Sequence, residues 1–495
     1  MSYLMGYDVG SSSVKASLLE AESGKLIASA TSPEDTELEI TAPKTGWAEQ
    51  HPSIWWEHIK LVTAKLREKS GVNLQDVIAV GISYQMHGLV LVDKNQEALR
   101  PAIIWCDSRA VNIGDQAFSE IGEETCLKHF LNSPGNFTAS KLKWVKDNEP
   151  EIYQRIYKAM LPGDFIAMKL TGEVKTTPSG LSEGILWDFV RSDLAQTILD
   201  HYQIDPNLLP ATVPTFSIQG ELTLKAAEEL GLKSGIKVAY RAGDQPNNAF
   251  SLNVLNPGEL AATAGTSGVV YGVINEANYD PKSRVNTFVH VNHELDAARY
   301  GVLLCLNGTG ILNRWMKDNF AKGLTYVEMN DLAAKAGVGA DGLSILPYGN
   351  GAERTLENKN IGATIYGLDL NKHNRSHMLR AAQEGIVFAL NYGVQIMGKM
   401  GMAIRTVKAG HANMFLSPLF SEAFASVTGA TVELYNTDGS QGAARGAGVG
   451  AGIYKDYEQA FAGLKSIKTI RPDQSLVPQY REAYERWLNF LKERM

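Results

Sequence analysis

The chain has 495 residues, of which 44% are hydrophobic and 20% charged, with a net charge of −7. That length is too great for one hydrophobic core and suits two large domains of ordinary globular composition. The negative balance speaks against a nucleic-acid or anionic-membrane partner, and no apolar run approaches the roughly 20 residues that span a bilayer.

The opening MSYLMGYDVG has neither a basic n-region nor an apolar h-region, so a cytoplasmic location is expected. Met5–Val9 reads as a strand, Gly10–Ser13 as a turn and Val14–Leu19 as a second strand, with a third at Leu26–Ala30. Trp55–Glu68 is patterned as an amphipathic helix and Val77–Tyr84 as a buried strand. Short strands follow at Val90–Asp93 and Ala102–Trp105, then helical stretches at Lys141–Val145 and Glu151–Tyr157. Scattered Cys106, Cys126 and Cys305 form no CxxC pair and read as reduced packing residues. After a proline-rich loop from Pro206 to Pro214, Lys237–Ala242 reads as a strand ending at Gly243-Asp244. Glu259–Ala264, the turn Gly265-Thr266-Ser267-Gly268 and Val269–Val273 repeat the opening pattern of strand, small-residue turn and strand. The second half continues with a strand at Leu343–Pro347, a long helix at Met378–Met400, a strand at Arg405–Ala409 and a helix at Leu419–Val427. The small-residue run Gly439–Gly452 is expected to pack a helix tightly against a sheet, and Tyr480–Lys492 ends the chain as an amphipathic helix. The domain boundary is expected close to Asp244, giving domains at 1–243 and 244–495.

Three motif matches fail on context. Gly393–Lys399 nearly spells a P-loop, but Met400 follows where Ser or Thr would ligate Mg²⁺, and the stretch is helical. Gly337–Gly342 spells GxGxxG between a helix and a strand, the reverse of the dinucleotide-binding order. His373 and His377 lack the intervening Glu of a zinc hydrolase.

Two hairpin turns survive. A small-residue turn between strands gathers backbone N–H groups into a nest for phosphate oxygens, and Gly10-Ser11-Ser12-Ser13 and Gly265-Thr266-Ser267-Gly268 both qualify. One such hairpin is ordinary; two in different halves favour phosphate binding. Asp8, two residues before the first turn, would meet phosphate through Mg²⁺, and Lys15 adds positive charge. Asp244 at a strand end is either a helix cap or the carboxylate that accepts a proton from an attacking hydroxyl. Gln85-Met86-His87-Gly88 and Trp105-Cys106-Asp107-Ser108-Arg109 also follow strands, where open α/β sheets place ligands. There Met86, His87, Trp105 and Asp107 have the chemistry to contact a polyol.

These segments, in this order, resemble the FGGY family of carbohydrate kinases over nearly the whole chain. Gly6–Lys15 looks like the family's first phosphate loop, Trp47–Gln50 and Trp55-Trp56 like its next stretch, and Gln85–Gly88 like the pentulose contact of its xylulose-specific members. Pro101–Arg109 resembles its Trp-x-Asp-x-Arg strand, Gly243-Asp244 its catalytic aspartate site and Ala264–Gly268 its second phosphate loop. Leu346-Pro347-Tyr348 with Gly351–Thr355 resembles its Gly-Glu-Arg-Thr segment, and Ala409-Gly410 with Gly442–Ala447 its adenosine loop and following helix. The chain departs from the pattern in carrying Asp244-Gln245 for the usual Asp-Asn, and His411-Ala412-Asn413 after Gly410 in the adenosine loop.

The resemblance implies an α/β, actin-like ATPase fold of two ribonuclease-H-like domains with a cleft between them. It implies an ATP- and Mg²⁺-dependent kinase acting on a ketopentose, with D-xylulose the leading substrate, Asp244 as general base and Asp8 near the metal. Met86, His87, Trp105, Asp107, Asp244 and Gln245 would face the sugar. Gly10, Ser11, Ser12, Ser13, Lys15, Gly265, Thr266, Ser267, Gly310, Gly410, His411 and Asn413 would face ATP. The alternatives are a kinase for another ketose or polyol, a sugar-binding regulator without catalysis, and an actin-like ATPase acting on protein. The expected partners are a small sugar and ATP, with a homodimer left open.

Overall fold

The computed structural model describes residues 1–495. It divides into two compact units that interleave along the chain. The first comprises Met1–Asn253, Phe288–Tyr300 and Thr437–Leu464; the second comprises Val254–Thr287, Gly301–Asn436 and Lys465–Met495. No helix is long and apolar enough to cross a membrane.

In the first unit the alternating segments Tyr3–Val9 (β1), Val14–Glu20 (β2) and Leu26–Ser32 (β3) form an antiparallel meander. Its register sets Asp8 opposite Lys15. The apolar run Val77–Tyr84 (β4) lies parallel to β1 and brings Ser83 beside Asp8. Phe216–Glu221 (β5) and Lys237–Gly243 (β6) complete the sheet, β6 parallel to β4 and β5 antiparallel at the edge, in the order β5-β6-β4-β1-β2-β3. The helix Pro52–Ser70 (α1) covers β2 and β3 with Trp55, Ile59, Val62 and Leu66, all buried; its Thr63 shares a 2.7 Å hydrogen bond with the Tyr7 hydroxyl. Thr138–Asn148 (α2), Pro178–Glu183 (α3) and Asp244–Ser251 (α4) carry residues of the site.

The second unit repeats this plan. Glu259–Ala264 (β7) and Gly268–Ile274 (β8) form an antiparallel hairpin. With Asn286–Val289 (β9), Tyr300–Leu306 (β10), Thr406–Gly410 (β11), Thr431–Tyr435 (β12) and Ser466–Ile470 (β13), the sheet runs β9-β10-β8-β7-β11-β12-β13. β7, β11 and β12 are parallel and β13 is antiparallel, so β7 stands where β1 stands in the first sheet. The echo between the two small-residue turns is therefore a repeat of topology. Gly310–Phe320 (α5) and the long Arg375–Lys399 (α6) belong to this unit.

The small-residue run forms Gly439–Gly450 (α7) and lies on the first sheet. A Cβ at Gly6 would stand 2.0 Å from Ser440 O, and one at Gly81 2.0 Å from Ala443 O. Helix backbone thus rests directly on strand backbone, which only glycine on the strands permits. Val477–Arg494 (α8) ends the chain and buries Tyr480, Tyr484 and Trp487.

Some expectations shift. The stretch Glu151–Tyr157 is helical only over Pro150–Tyr153; Tyr157 N–H instead donates to Val92 O at 2.8 Å and Lys158–Met160 pairs with Val90–Val92. The strand at Ala102–Trp105 shortens to Ala102–Ile103, because the chain turns at Trp105. The false P-loop lies inside α6, and Gly337–Gly342 is a connection that ends in a single 3₁₀ turn at Ala340–Gly342. His377 pairs with Asp341 at 3.1 Å, and no cluster of three His, Cys, Asp or Glu is arranged to hold a metal.

Candidate active site

In the first unit, Asp8 and Asp244 come together at the ends of β1 and β6. Asp8 Oδ1 accepts the Ser83 hydroxyl at 2.8 Å. A Cβ at Gly439 would stand 2.5 Å from Asp8 Oδ2, so α7 begins against this carboxylate, where its partial positive charge is favourable. Asp438 caps the same helix through Gln441 N–H at 3.0 Å. Burial raises the Asp8 carboxyl above its usual range; Lys15 and the Ser83 hydroxyl pull it down, and Asp438 pushes it up.

Asp244 is the first residue of α4. The cap position belongs to Gly243, so the carboxylate does not serve as the helix cap. Its Oδ2 accepts the Gln245 side-chain amide at 3.0 Å. Asp244 keeps partial solvent access, yet loss of water and then the charge of Asp8 raise it to about 7. A carboxyl titrating there exchanges protons readily at neutral pH.

The residues fit a hard divalent cation. No three carboxylates converge on one point, so the fit is that of a single carboxylate, Asp8, facing a cation whose other ligands are phosphate and water. Asp438 raises the proton affinity of Asp8, and Asp8 that of Asp244, a repulsion that a cation offsets. One protein carboxylate with phosphate oxygens and water is the usual Mg²⁺ arrangement at nucleotides.

Beside Asp244 lies Gln85–Gly88, which follows β4. Met86 is buried against Gly243, where a Cβ would meet its Cγ at 2.5 Å. His87 adopts a left-handed φ of 61°. Trp105 is 50% exposed, free to present a ring face, and its Nε1 donates to Ser11 Oγ at 3.3 Å. Asp107 is fully buried: its carboxylate accepts Ala48 N–H at 2.6 Å and the Arg109 guanidinium at 2.7 Å. That guanidinium stacks 3.8 Å over Trp47 and pairs with Glu49. In the first loop, Gly10 N–H closes on Ser13 O at 3.0 Å, and Ser11, Ser12 and Ser13 keep solvent access.

In the second unit, the loop Gly265–Gly268 is held by the start of α5. Gly310 N–H donates to Gly265 O at 2.9 Å, Ile311 N–H to Thr266 O at 3.2 Å, and the Thr309 hydroxyl to Gly265 O at 3.1 Å. A Cβ at Gly310 would lie 2.2 Å from Gly265 O, so glycine is required. Asn413, at φ 55°, approaches Gly265, while His411 N–H is tied to Tyr435 O at 2.8 Å. His411 and Asn413 side chains are exposed. The Gly-Glu-Arg-Thr-like segment contributes Glu353, whose carboxyl accepts Asn307 N–H at 2.9 Å just before α5.

Sequence reasoning passed over two buried residues of the first unit. Lys141 on α2 and Glu183 on α3 are wholly or almost wholly buried beside the Gln85–Gly88 turn. Burial lowers the Lys141 ammonium to about 7 and raises the Glu183 carboxyl well above its ordinary range. As single charged residues on short helices they carry no sequence signal.

Residues 3–251 match the N-terminal domain of the FGGY family of carbohydrate kinases, and residues 260–453 match its C-terminal domain. The xylulose kinase of Bacillus subtilis (strain 168) is 28% identical over 499 residues, covering 99% of this chain and 96% of that protein. The xylulose kinase of Lactococcus lactis subsp. lactis (strain IL1403) is 29% identical, covering 99% and 97%. The crystal structure of xylulose kinase from Rhodospirillum rubrum superposes with a TM-score of 0.87 at 25% identity, covering 99% of this chain and 98% of that one. The fold is the actin-like ATPase fold, built here from the two repeated α/β units.

Proposed function

The chain belongs to the FGGY family of carbohydrate kinases, and from that premise we propose that it phosphorylates D-xylulose with ATP, giving D-xylulose 5-phosphate and ADP. The observation that carries the chemistry is Asp244. It stands at a strand end, poised near 7, beside Asp8 and next to the Met86–His87 turn. The Asp244 carboxylate takes the proton of the sugar's terminal hydroxyl. The oxygen–phosphorus bond forms as the β–γ bridging P–O bond breaks, and ADP leaves with that electron pair. The transition state is loose, so the proton moves late and the base needs no exceptional strength. Mg²⁺ bound with ATP supplies charge neutralisation at the phosphoryl group, and Asp8 would hold it through water.

We assign the sugar to residues 1–243 with Asp244 and Gln245 at their end. Met86, His87 and Trp105 face it, and Asp107 shapes the Trp105 turn from inside through Arg109. ATP is assigned to residues 244–495 together with the first loop. Gly10–Ser13 with Lys15, and Gly265–Ser267 with Gly310, hold the phosphates, and Gly410, His411 and Asn413 line the adenosine. The reaction is assigned to the cytoplasm, where ATP is supplied.

A coupled ADP-release assay over a panel of ketopentoses and polyols tests the reading, with D-xylulose expected to give the highest kcat/KM. Asp244→Ala is expected to keep the fold and lose about 10²–10⁴ in turnover. Sugar binding by calorimetry without ADP release would overturn the reaction, and near-wild-type turnover in Asp244→Ala would overturn the base.

A further inference from the structure

His87 is held in a conformation that its own turn does not favour. A non-glycine residue at φ 61° is strained and persists only where its surroundings over-determine it. Here the surroundings are two buried ionisable side chains from different helices. On the amino side, Glu183 Oε2 accepts His87 N–H at 3.2 Å, and on the carboxyl side Lys141 Nζ donates to His87 O at 2.8 Å. The ring is fixed as well: its Nδ1–H donates to the Glu183 main-chain carbonyl at 2.9 Å, which sets the tautomer. Phe137 packs edge-on against it at 4.8 Å.

Each clamp residue is in turn anchored. Glu183 Oε1 accepts the Tyr84 hydroxyl at 2.7 Å, which ties α3 to the end of β4. Lys141 Nζ also donates to Ile104 O at 3.0 Å, just before Trp105, so one amine joins both turns assigned to the sugar. The two carbonyls need only two N–H donors, which even a neutral amine provides. A lysine buried for packing alone would leave its nitrogen without such paired acceptors, and this one spans two strand ends.

We propose that Lys141 and Glu183 are positioning residues that clamp the His87 peptide from both sides and set the orientation and tautomer of its ring for the sugar. The inference rests on the assignment of His87 to the sugar made above.

Two readouts separate the clamp from that assignment. In ¹⁵N NMR of the histidine rings, His87 is assigned by its absence in His87→Ala. It is expected as a fixed Nδ1–H tautomer in the native chain; Lys141→Met and Glu183→Leu keep the Glu183 main-chain carbonyl but free the His87 peptide, so the ring nitrogen leaves that carbonyl and a tautomer mixture is expected. In initial-rate kinetics the same two variants are expected to raise KM for D-xylulose about tenfold or more while KM for ATP stays within about twofold. Glu183→Gln keeps a carbonyl for His87 N–H and turns its amide toward the Tyr84 oxygen, so it is expected to recover most of the affinity lost in Glu183→Leu. Should Glu183→Leu not fold, Glu183→Gln against Lys141→Met carries the same comparison. An unchanged His87 tautomer in folded variants, or equal losses for sugar and ATP, overturns the clamp. A fixed tautomer that the variants release, in a chain for which His87→Ala leaves sugar KM unchanged, upholds the clamp and overturns only the sugar assignment.

Discussion

The Gln245 side-chain amide donates to Asp244 Oδ2 at 3.0 Å, so the residue that departs from the family's usual Asn holds the proposed base directly. A hydrogen bond to the charged form of a carboxylate favours that form and lowers its pKa. Gln245→Leu removes the donor, and Asp244 is expected to rise further. The acid limb of kcat/KM moves to higher pH by about one unit, equivalent to about 1.4 kcal/mol. The position of the limb is the measurement, because the height of the plateau also depends on how the amide itself binds the sugar. A limb at the native pH would show that Gln245 does not tune the base.

The native enzyme has its own pH signature. Asp244 is raised to about 7 by burial and by the neighbouring Asp8 charge. Only the deprotonated form accepts the sugar proton, so activity is present above that pH and lost as pH falls through it. A profile of kcat/KM for the sugar is expected to drop about tenfold per pH unit on the acid side and level off on the basic side. A flat profile from pH 5 upward would mean that no group with this pKa acts in the proton transfer.

Much of the local form of the segments that carry the candidate site was legible in the sequence, for a physical reason. β4 is an apolar run broken only by Ser83, and the two small-residue turns sit between strands, so local pattern alone placed both turns and set Asp244 at a strand end. Residues whose roles depend on distant neighbours were opaque. Asp107 looked available to a polyol, yet Arg109 and the Ala48 N–H occupy its oxygens. Tyr157 follows a helical spacing, but the open edge at Val92 captures its N–H. Lys141 and Glu183 have no local pattern that marks them, and only the packing of α2 and α3 around the His87 turn shows them buried. The small residues of α7 announced tight packing; that they pack on the first sheet, across almost the whole chain length, has no local signature.

That packing makes a stability prediction with an internal control. Gly81→Ala would put a Cβ 2.0 Å from Ala443 O, a backbone atom that cannot swing aside. Overpacking of this kind costs about 1–3 kcal/mol. Gly398→Ala lies in the last turn of helix α6 with nothing within 4 Å of the added carbon, and is expected to stabilise by about 0.5 kcal/mol. Thermal melts of the two variants should therefore move in opposite directions from the native chain. A Gly81→Ala melt at or above the native one would contradict direct contact of α7 with the sheet.

The last prediction concerns the ATP side. Glu353 is raised to about 7 by burial, yet its carboxyl accepts Asn307 N–H at 2.9 Å. Two and three residues on, the Thr309 hydroxyl and Gly310 N–H grip Gly265 O, so the short turn Asn307–Gly310 ties Glu353 at one end to the second phosphate loop at the other. Glu353→Ala leaves the part-buried Asn307 N–H without its carboxylate acceptor, which costs about 1 kcal/mol and frees the turn that supports the loop. KM for ATP is expected to rise about tenfold or more, with KM for the sugar within about twofold, since the loosened turn and loop both lie within residues 244–495, to which ATP is assigned. Glu353→Gln retains one acceptor oxygen and should fall between the native chain and the alanine variant. Because the Gln side chain does not titrate, its KM for ATP should also be flat across neutral pH. In the native chain, by contrast, deprotonation of Glu353 strengthens its bond to Asn307 N–H, and KM for ATP should fall as pH rises through about 7. Parallel losses in sugar and ATP affinity would instead assign Glu353 to general stability.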